Sequence, residues 1–292
     1  MKKARKILPL FLFPCILLFF LLQISAVIEG VRSALALCAY SIIPSLFVFL
    51  VLSDIITNLL ISEKRISPKW SVFLLGSLCG FPVGAIACEE YYSAGVLTKE
   101  DATKLATVCN TASPAFIIGA IGNTLLQDKA LGCILYLAQL LITFLFVMPL
   151  HIKPITPCNK LLIKPGNRFF LSLEKAVKNI LQICALICLF SACLSICKDF
   201  FHERIFLFLS ILLEIGNGVS IAARQKTAFA IALCGFACGW SGICVHFQIF
   251  SVLKSIKVNK QHFFFYKFLQ GILTAVLAFC GYKLFLLLNF QF

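Results

Sequence analysis

Charge is scarce in this chain. Only 13% of its 292 residues are Asp, Glu, Lys or Arg, and the acids number 12. A soluble domain carries about 25% charged and about 45–50% apolar residues, whereas here the apolar share is 61% and the mean hydropathy is +0.99. The shortage excludes a soluble enzyme, a disordered chain and an ordinary nucleic-acid binder, because a chain of this length could not hide so much apolar surface from water. Lipid is its natural solvent. Paired cysteine motifs are missing too. Although there are 15 Cys, no C-x-x-C is followed by a second pair or by a suitably spaced His, as disulfide scaffolds and zinc sites require. Cys184, Cys188, Cys193 and Cys197 sit in an apolar run and read as small, soft packing residues in a reducing or bilayer-buried setting. No P-loop or Rossmann fingerprint occurs, which argues against an ATP-driven pump or a cofactor enzyme. No cofactor or metal is expected, and neither heptads nor low-complexity tracts are seen.

What the chain does have is a series of apolar runs. Met-Lys-Lys-Ala-Arg-Lys opens it, and the stretch from Ile7 to about Ile28 reads as an uncleaved anchor with its basic end inside. Ser33 to Leu60 is a second span containing Pro44 and Asp54. Ser71 to Ala87 is interrupted by Gly80-Phe81-Pro82-Val83-Gly84, and Thr98-Lys-Glu-Asp101 reads as the N-cap of a short helix. Leu105 to Leu126 carries Asn110-Thr-Ala-Ser113-Pro114, and Ala130 to Leu150 is unbroken. The hydrophilic segment 151–170, rich in Pro and basic residues, divides a first half (1–150) from a second (171–292). The second half contains Val177 to Cys197, then Ile205 to Ala222 with Glu214-Ile-Gly-Asn217-Gly218. Phe229 to Leu253, centred on Gly239-Trp-Ser241-Gly242, and Phe263 to Leu288 complete it.

The expected fold is an all-α polytopic membrane protein of seven to nine segments in two pseudo-repeated halves. Leu-Leu-Gly76-Ser-Leu-Cys79-Gly80-Phe81 lies over Leu-Cys-Gly235-Phe-Ala-Cys238-Gly239-Trp240 at an offset of 159, which sets Glu89 over Gln248. Matched Gly-broken apolar segments in two halves point to a transporter's binding site, though Gly-x-x-x-Gly also simply packs helices closely. The basic excess, 26 Lys+Arg against 12 acids, gathers in residues 1–6, 61–70, 151–168, Arg224/Lys226 and Lys254/Lys257/Lys260. The positive-inside rule puts all of these in the cytoplasm if 71–94 and 229–253 are re-entrant hairpins, giving seven crossings with the N-terminus in and the C-terminus out. Such hairpins imply a cavity near the midplane. Nine full spans are the alternative.

Ionisable residues at membrane depth are costly and usually functional. The candidates are Asp54, Glu89, Glu90, Glu214 and His246. Glu214 is the sharpest, since it precedes Gly216-Asn217-Gly218, where a helix must break; a helix-end carboxylate reaching water is the plainer reading. Asp54 reads as snorkelling, and Glu89 and Glu90 as a wet rim. Pro82 suits the start of a half-helix, Gly84 permits close approach, and the free amides there would favour an anion. Asn110, Ser113 and Pro114 offer polar groups where another helix loosens; packing kinks are the structural alternative. Gly239-Trp-Ser241-Gly242 evokes an intramembrane serine protease, but no His stands ready as its base. A non-enzymatic protein is expected.

Gly80-Phe-Pro-Val-Gly-Ala85, Gly95-x-Leu-Thr-x-x-Asp-Ala102 and Cys109-Asn-x-x-Ser-Pro-x-Phe-Ile-Ile-Gly119 resemble the nucleoside-recognition (Gate) domain of sporulation integral membrane proteins of the YlbJ/SpoVV type. Pro44-Ser-Leu-Phe47, Leu213-Glu-Ile-Gly-Asn-Gly218 and Gly239-x-x-Gly-x-x-Val-His-x-Gln248 fit further positions in order. The resemblance spans roughly residues 35–285. It implies a multi-pass protein of the bacterial cell membrane, acting at the outer forespore membrane and moving dipicolinate, a small aromatic dicarboxylate. It implies substrate-site residues Gly80, Pro82, Gly84, Asn110, Ser113, Pro114, Glu214, Asn217, Gly218 and Gln248. Ile86 stands where the family often has a basic residue, and the chain is shorter than typical members. The family is distantly similar to concentrative nucleoside transporters, which are built from inverted repeats, whereas the positive-inside topology above gives parallel ones. The expected partners are a small anionic substrate, the bilayer and a coupling proton or cation, with no nucleic acid and with room for a homo-oligomer. A nucleoside-like substrate, cation coupling or a non-transporting sporulation scaffold are the alternatives.

Overall fold

A computed structural model describes residues 13–63, 66–153, 155 and 165–289. The basic N-terminus and most of the Pro-rich linker lie outside them. Every regular element among the described residues is helical. Helix α1 spans Phe13–Leu22. Then come α2 (Ile24–Leu37), a π-turn π1 (Cys38–Ile42) and α3 (Ile43–Glu63), which run on as one 40-residue apolar helix, so the gap between the first two expected spans, at residues 29–32, is helical. Helices α4 (Pro68–Cys79), α5 (Val83–Ser93) and α6 (Lys99–Val108) are short. A π-helix, π2 (Ala115–Leu125), and α7 (Lys129–Val147) follow. The rest are α8 (Pro165–Phe200), α9 (Glu203–Leu213), α10 (Ile215–Ala222), α11 (Thr227–Trp240), α12 (Gly242–Val252) and α13 (Lys260–Asn289). Residues 165–170 thus belong to α8, not to the linker.

Among the described residues, five helices are long and apolar enough to cross a membrane: Ile24–Glu63, Lys129–Val147, Arg168–Phe200, Thr227–Val252 and Lys260–Leu288. Their outer faces fit lipid. On α7, Leu137, Leu141 and Leu145 are exposed while Leu135, Ala138 and Ile142 are buried, a division at helical spacing. Starts are set by side chains, as expected at Thr98, whose Oγ1 accepts from Asp101 N at 3.0 Å, and likewise at Asp128, whose Oδ1 accepts from Ala130 N at 2.8 Å.

Small residues fix the close packing. A Cβ on Gly30 of α2 would lie 2.6 Å from Ser191 O of α8, and one on Gly239 of α11 would lie 2.6 Å from Gln270 O of α13. The Gly-x-x-x-Gly of α11 therefore seats a neighbouring helix.

The two expected hairpins fare differently. Residues 71–94 do fold back, with α4 and α5 packed side by side around a tip at Gly80 (φ +85°). Residues 229–253 do not. Helix α11 runs into α12 through the left-handed Ser241 and Gly242, and both flank the same partner: Trp240 meets Phe268, and Phe250 meets Phe263, all along α13. The second fold-back is α9–α10, with its tip at Glu214. Gly218 makes it close, since a Cβ there would stand 2.6 Å from Ile211 Cα. The offset of 159 therefore sets a hairpin arm over part of a broken crossing.

Candidate functional site

Helix α6 ends at Val108, and the chain is non-helical through Cys109–Ser113 before π2 begins. This break leaves carbonyls that no helix satisfies, and neighbouring elements take them up. Gln270 Nε2 donates to Val108 O at 3.1 Å and Lys267 Nζ to Asn110 O at 2.9 Å, both from α13. Gln139 of α7 clasps Ala112, accepting from its N–H at 3.2 Å and donating to its carbonyl at 2.9 Å. Thr111 Oγ1 donates to Gly76 O at 3.1 Å. Cys109 O nests between Gly76 and Gly84, where a Cβ on either glycine would collide with it. The α4–α5 hairpin is thus seated on the break.

Asn110 completes that seat. Its Oδ1 accepts from Ala85 N at 2.9 Å and its Nδ2 donates to Ala106 O at 2.5 Å. Two of the first-turn amides of α5 expected to be free for an anion are therefore taken, Ala85 N by Asn110 and Val83 N by Gly80 O at 2.9 Å. Asn110 is a clasp between two half-helices rather than a group open to the cavity.

The second tip is built alike. Glu214, 2% exposed, caps α10: Oε1 accepts from Gly216 N at 2.9 Å, and Oε2 accepts from Asn217 N at 2.7 Å and Asn217 Nδ2 at 2.8 Å. It does not reach water. The tip rests on the α11–α12 break, with Trp240 Nε1 donating to Leu212 O at 3.0 Å and a Gly242 Cβ set 3.1 Å from Ile215 N. Ser241 Oγ turns back to Cys238 O at 3.3 Å, and His246 Nε2 meets Trp240 O at 2.7 Å.

The two tips face one another across a cavity of about 50 Å³. Gly80 and Phe81 come from one tip, Glu214 and Gly216 from the other, and Ser113, Phe116 and Gln248 from the broken crossings. Ile183 and Ile187 of α8, with Leu37, Ser45 and Leu46, form a wall. Gln248 Oε1 is buried without a hydrogen-bond partner. Four of the sequence candidates, Gly80, Ser113, Glu214 and Gln248, therefore converge. Pro82, Gly84, Asn110, Pro114, Asn217 and Gly218 do not line the cavity. Pro82 caps α5, Pro114 precedes π2, and Asn217 lines an outer polar groove with Glu29, Ser191 and Arg224.

A second polar cluster joins α3, α5 and α8. Lys175 Nζ lies 3.0 Å from Asp54 Oδ1 and 2.6 Å from Glu90 Oε1, and Ser172 Oγ donates to Asp54 Oδ2 at 2.6 Å. Asp54 is buried and paired, not snorkelling, and Glu90, its side chain 20% exposed, is held by Lys175 at a half-buried position instead of standing free in water. No spacing could reveal a pair 121 residues apart. The lysine side chain is 38% exposed, so Lys175→Met is expected to destabilise by about 1–3 kcal/mol, below the cost of breaking a fully buried pair. Adding Asp54→Asn should restore part of it. Thermal unfolding of the double-mutant cycle checks this, and additive losses would remove the coupling.

Lys267 and Gln139 also escaped the motifs. A lone Lys near the start of an apolar 263–288 run is the signal that could have found the first. Among the described residues no group of His, Cys, Asp and Glu could hold a metal ion. No family model, curated protein or solved structure matches the chain.

Proposed function

We propose that this protein is a membrane transporter of a small anionic metabolite, with dipicolinate as the candidate from the sequence resemblance, serving spore formation at a bacterial cell membrane or the outer forespore membrane. The observation that carries the reading is the meeting of two hairpin tips and two broken helices at one cavity. Irregular backbone at depth is tolerated only where it is packed in protein or lines such a cavity, and transporters bind their substrates at discontinuous helices of this kind.

The element order supports it. A long helix, a hairpin, a broken crossing and a further helix occur in turn as α2–α3, α4–α5, α6–π2 and α7, then again as α8, α9–α10, α11–α12 and α13. Each run reads as three crossings, and an odd number inverts the second run relative to the first. Read this way, the two runs favour the inverted arrangement that the resemblance implies over the parallel one expected from 229–253 as a hairpin. On this reading residues 66–70, 151–153 and 254–260 share one face, the inner one by the positive-inside rule, while Arg224 and Lys226 lie on the other.

The cavity is small. An engineered core cavity that takes up benzene measures about 150 Å³, three times this volume, so a ring enters only once the tips part. Liposome uptake of dipicolinate by purified protein is the test, and Ser113→Ala with Gln248→Ala is expected to lower uptake at least tenfold, about 1.4 kcal/mol of lost recognition, with melting temperature held. Wild-type proteoliposomes that accumulate no dipicolinate would sink the anion. A second reading, a nucleoside-like substrate, is favoured by the unpartnered Gln248 Oε1 beside Phe81 and Phe116, which suit a ring bearing donors. Nucleoside uptake in the same vesicles decides between the two.

A further inference from the structure

The break between α6 and π2 is a place where a monovalent cation would be expected. It lies at the C-terminal end of α6, the negative end of that helix's dipole. In transporters of broken-helix design, unwound carbonyls and half-helix C-termini are what coordinate a coupling sodium ion. Here the position is filled from within the chain. Lys267 of α13 is wholly buried. Its Nζ donates to Asn110 O at 2.9 Å and accepts nothing, and its second contact is Gln270 Oε1 at 3.2 Å. Among the described residues no carboxylate lies within salt-bridge distance of it. A buried ammonium without an acid is expensive, and it persists only where dipoles replace water. Gln270, one turn further along the same face, supplies its amide oxygen to the lysine while its Nε2 holds Val108 O at 3.1 Å. The two side chains therefore act together on two carbonyls of one break.

We infer that Lys267 is a tethered resident cation: its ammonium occupies the carbonyl site of the α6–π2 break in place of a bound sodium or potassium ion, so the fold requires no metal cation there. The same charge ties the first hairpin's seat to α13, because Asn110, whose backbone oxygen it holds, also clasps Ala85 through its side chain. Lys267 is in this sense a positioning residue and does not line the cavity between the tips.

The test is thermal unfolding of purified protein in detergent, in sodium, potassium and choline chloride. The wild-type melting temperature is expected to be the same in all three. Lys267→Ala removes a piece equivalent to n-propylammonium, and it should lower the melting temperature by roughly 5 °C or more. Added propylammonium should restore most of that shift, while propanol, of the same length but neutral, should not. Where Lys267→Ala yields no folded protein, Lys267→Arg is expected to melt well above Lys267→Met. A wild-type protein that loses stability when sodium is replaced by choline overturns the inference, as does rescue by propanol equal to that by propylammonium, or an Arg variant no better than Met. The melting experiments do not rest on the transport reading. Uptake, which does, should be equal in sodium and choline; failure of all uptake counts against the proposed function and leaves the resident cation standing.

Discussion

A single methyl group at Gly76 is expected to unseat the first hairpin. The Cβ of Gly76→Ala would collide with Cys109 O, a backbone atom that cannot rotate away. That carbonyl is also enclosed by Gly84 on the opposite arm, so neither side can yield without moving the other. Overpacking in a core usually costs about 1–3 kcal/mol. A clash with fixed backbone belongs at the top of that range or above it, and loss of monodisperse protein on size exclusion is the expected result. Gly119→Ala is the matched control. A Cβ there meets nothing within 4 Å, and its effect should stay within about 0.5 kcal/mol. A Gly76→Ala protein that melts like wild type would show that the hairpin does not sit on the break.

Glu214→Ala should be nearly as damaging, through different physics. The carboxylate is the sole cap shown for α10 and satisfies three N–H groups while 2% exposed. Losing a cap costs about 0.5–2 kcal/mol, and each buried donor left unpaired adds about 1–3 kcal/mol. A loss of about 3 kcal/mol is expected, read as a lowered melting temperature. Uptake by this variant must therefore be scored per folded molecule. An Ala variant that melts normally yet transports nothing would assign the carboxylate to substrate or proton instead of to the helix end.

The sequence made the breaks visible but not what each break does. Gly80-Phe-Pro-Val-Gly84 and Gly239-Trp-Ser-Gly242 look alike as interruptions of apolar runs, and both contain residues at positive φ. One turns the chain back and the other lets it continue. The difference lies in whether the flanking arms pack on each other, which depends on contacts with α13 and the first broken crossing that lie far away along the chain. Gly218, read as part of a binding motif, is what lets α9 and α10 close. Glu214 was legible because Gly-Asn-Gly beside a lone acid can hardly continue a helix, but the plainer reading had its carboxylate reach water, whereas it turns inward to cap α10. Asp54 was misjudged because its partner, Lys175, is on another helix. Asn110 was found by its polarity in an apolar run, and that polarity turns out to serve the chain's own amide and carbonyl. The unbroken run Ala130 to Leu150 was legible as one helix, and its exposed and buried positions follow helical periodicity.

The collision at Cys109 has a mechanical corollary. A carbonyl held between two glycines, with Asn110 laced to the hairpin beside it, welds the hairpin to its own broken helix. The second tip is laced likewise through Trp240 and Gly242. Two blocks result, each a hairpin plus a crossing, and Gly80 of one and Gly216 of the other both line the small cavity. Any widening of that cavity would therefore have to carry a tip together with the broken helix to which it is laced.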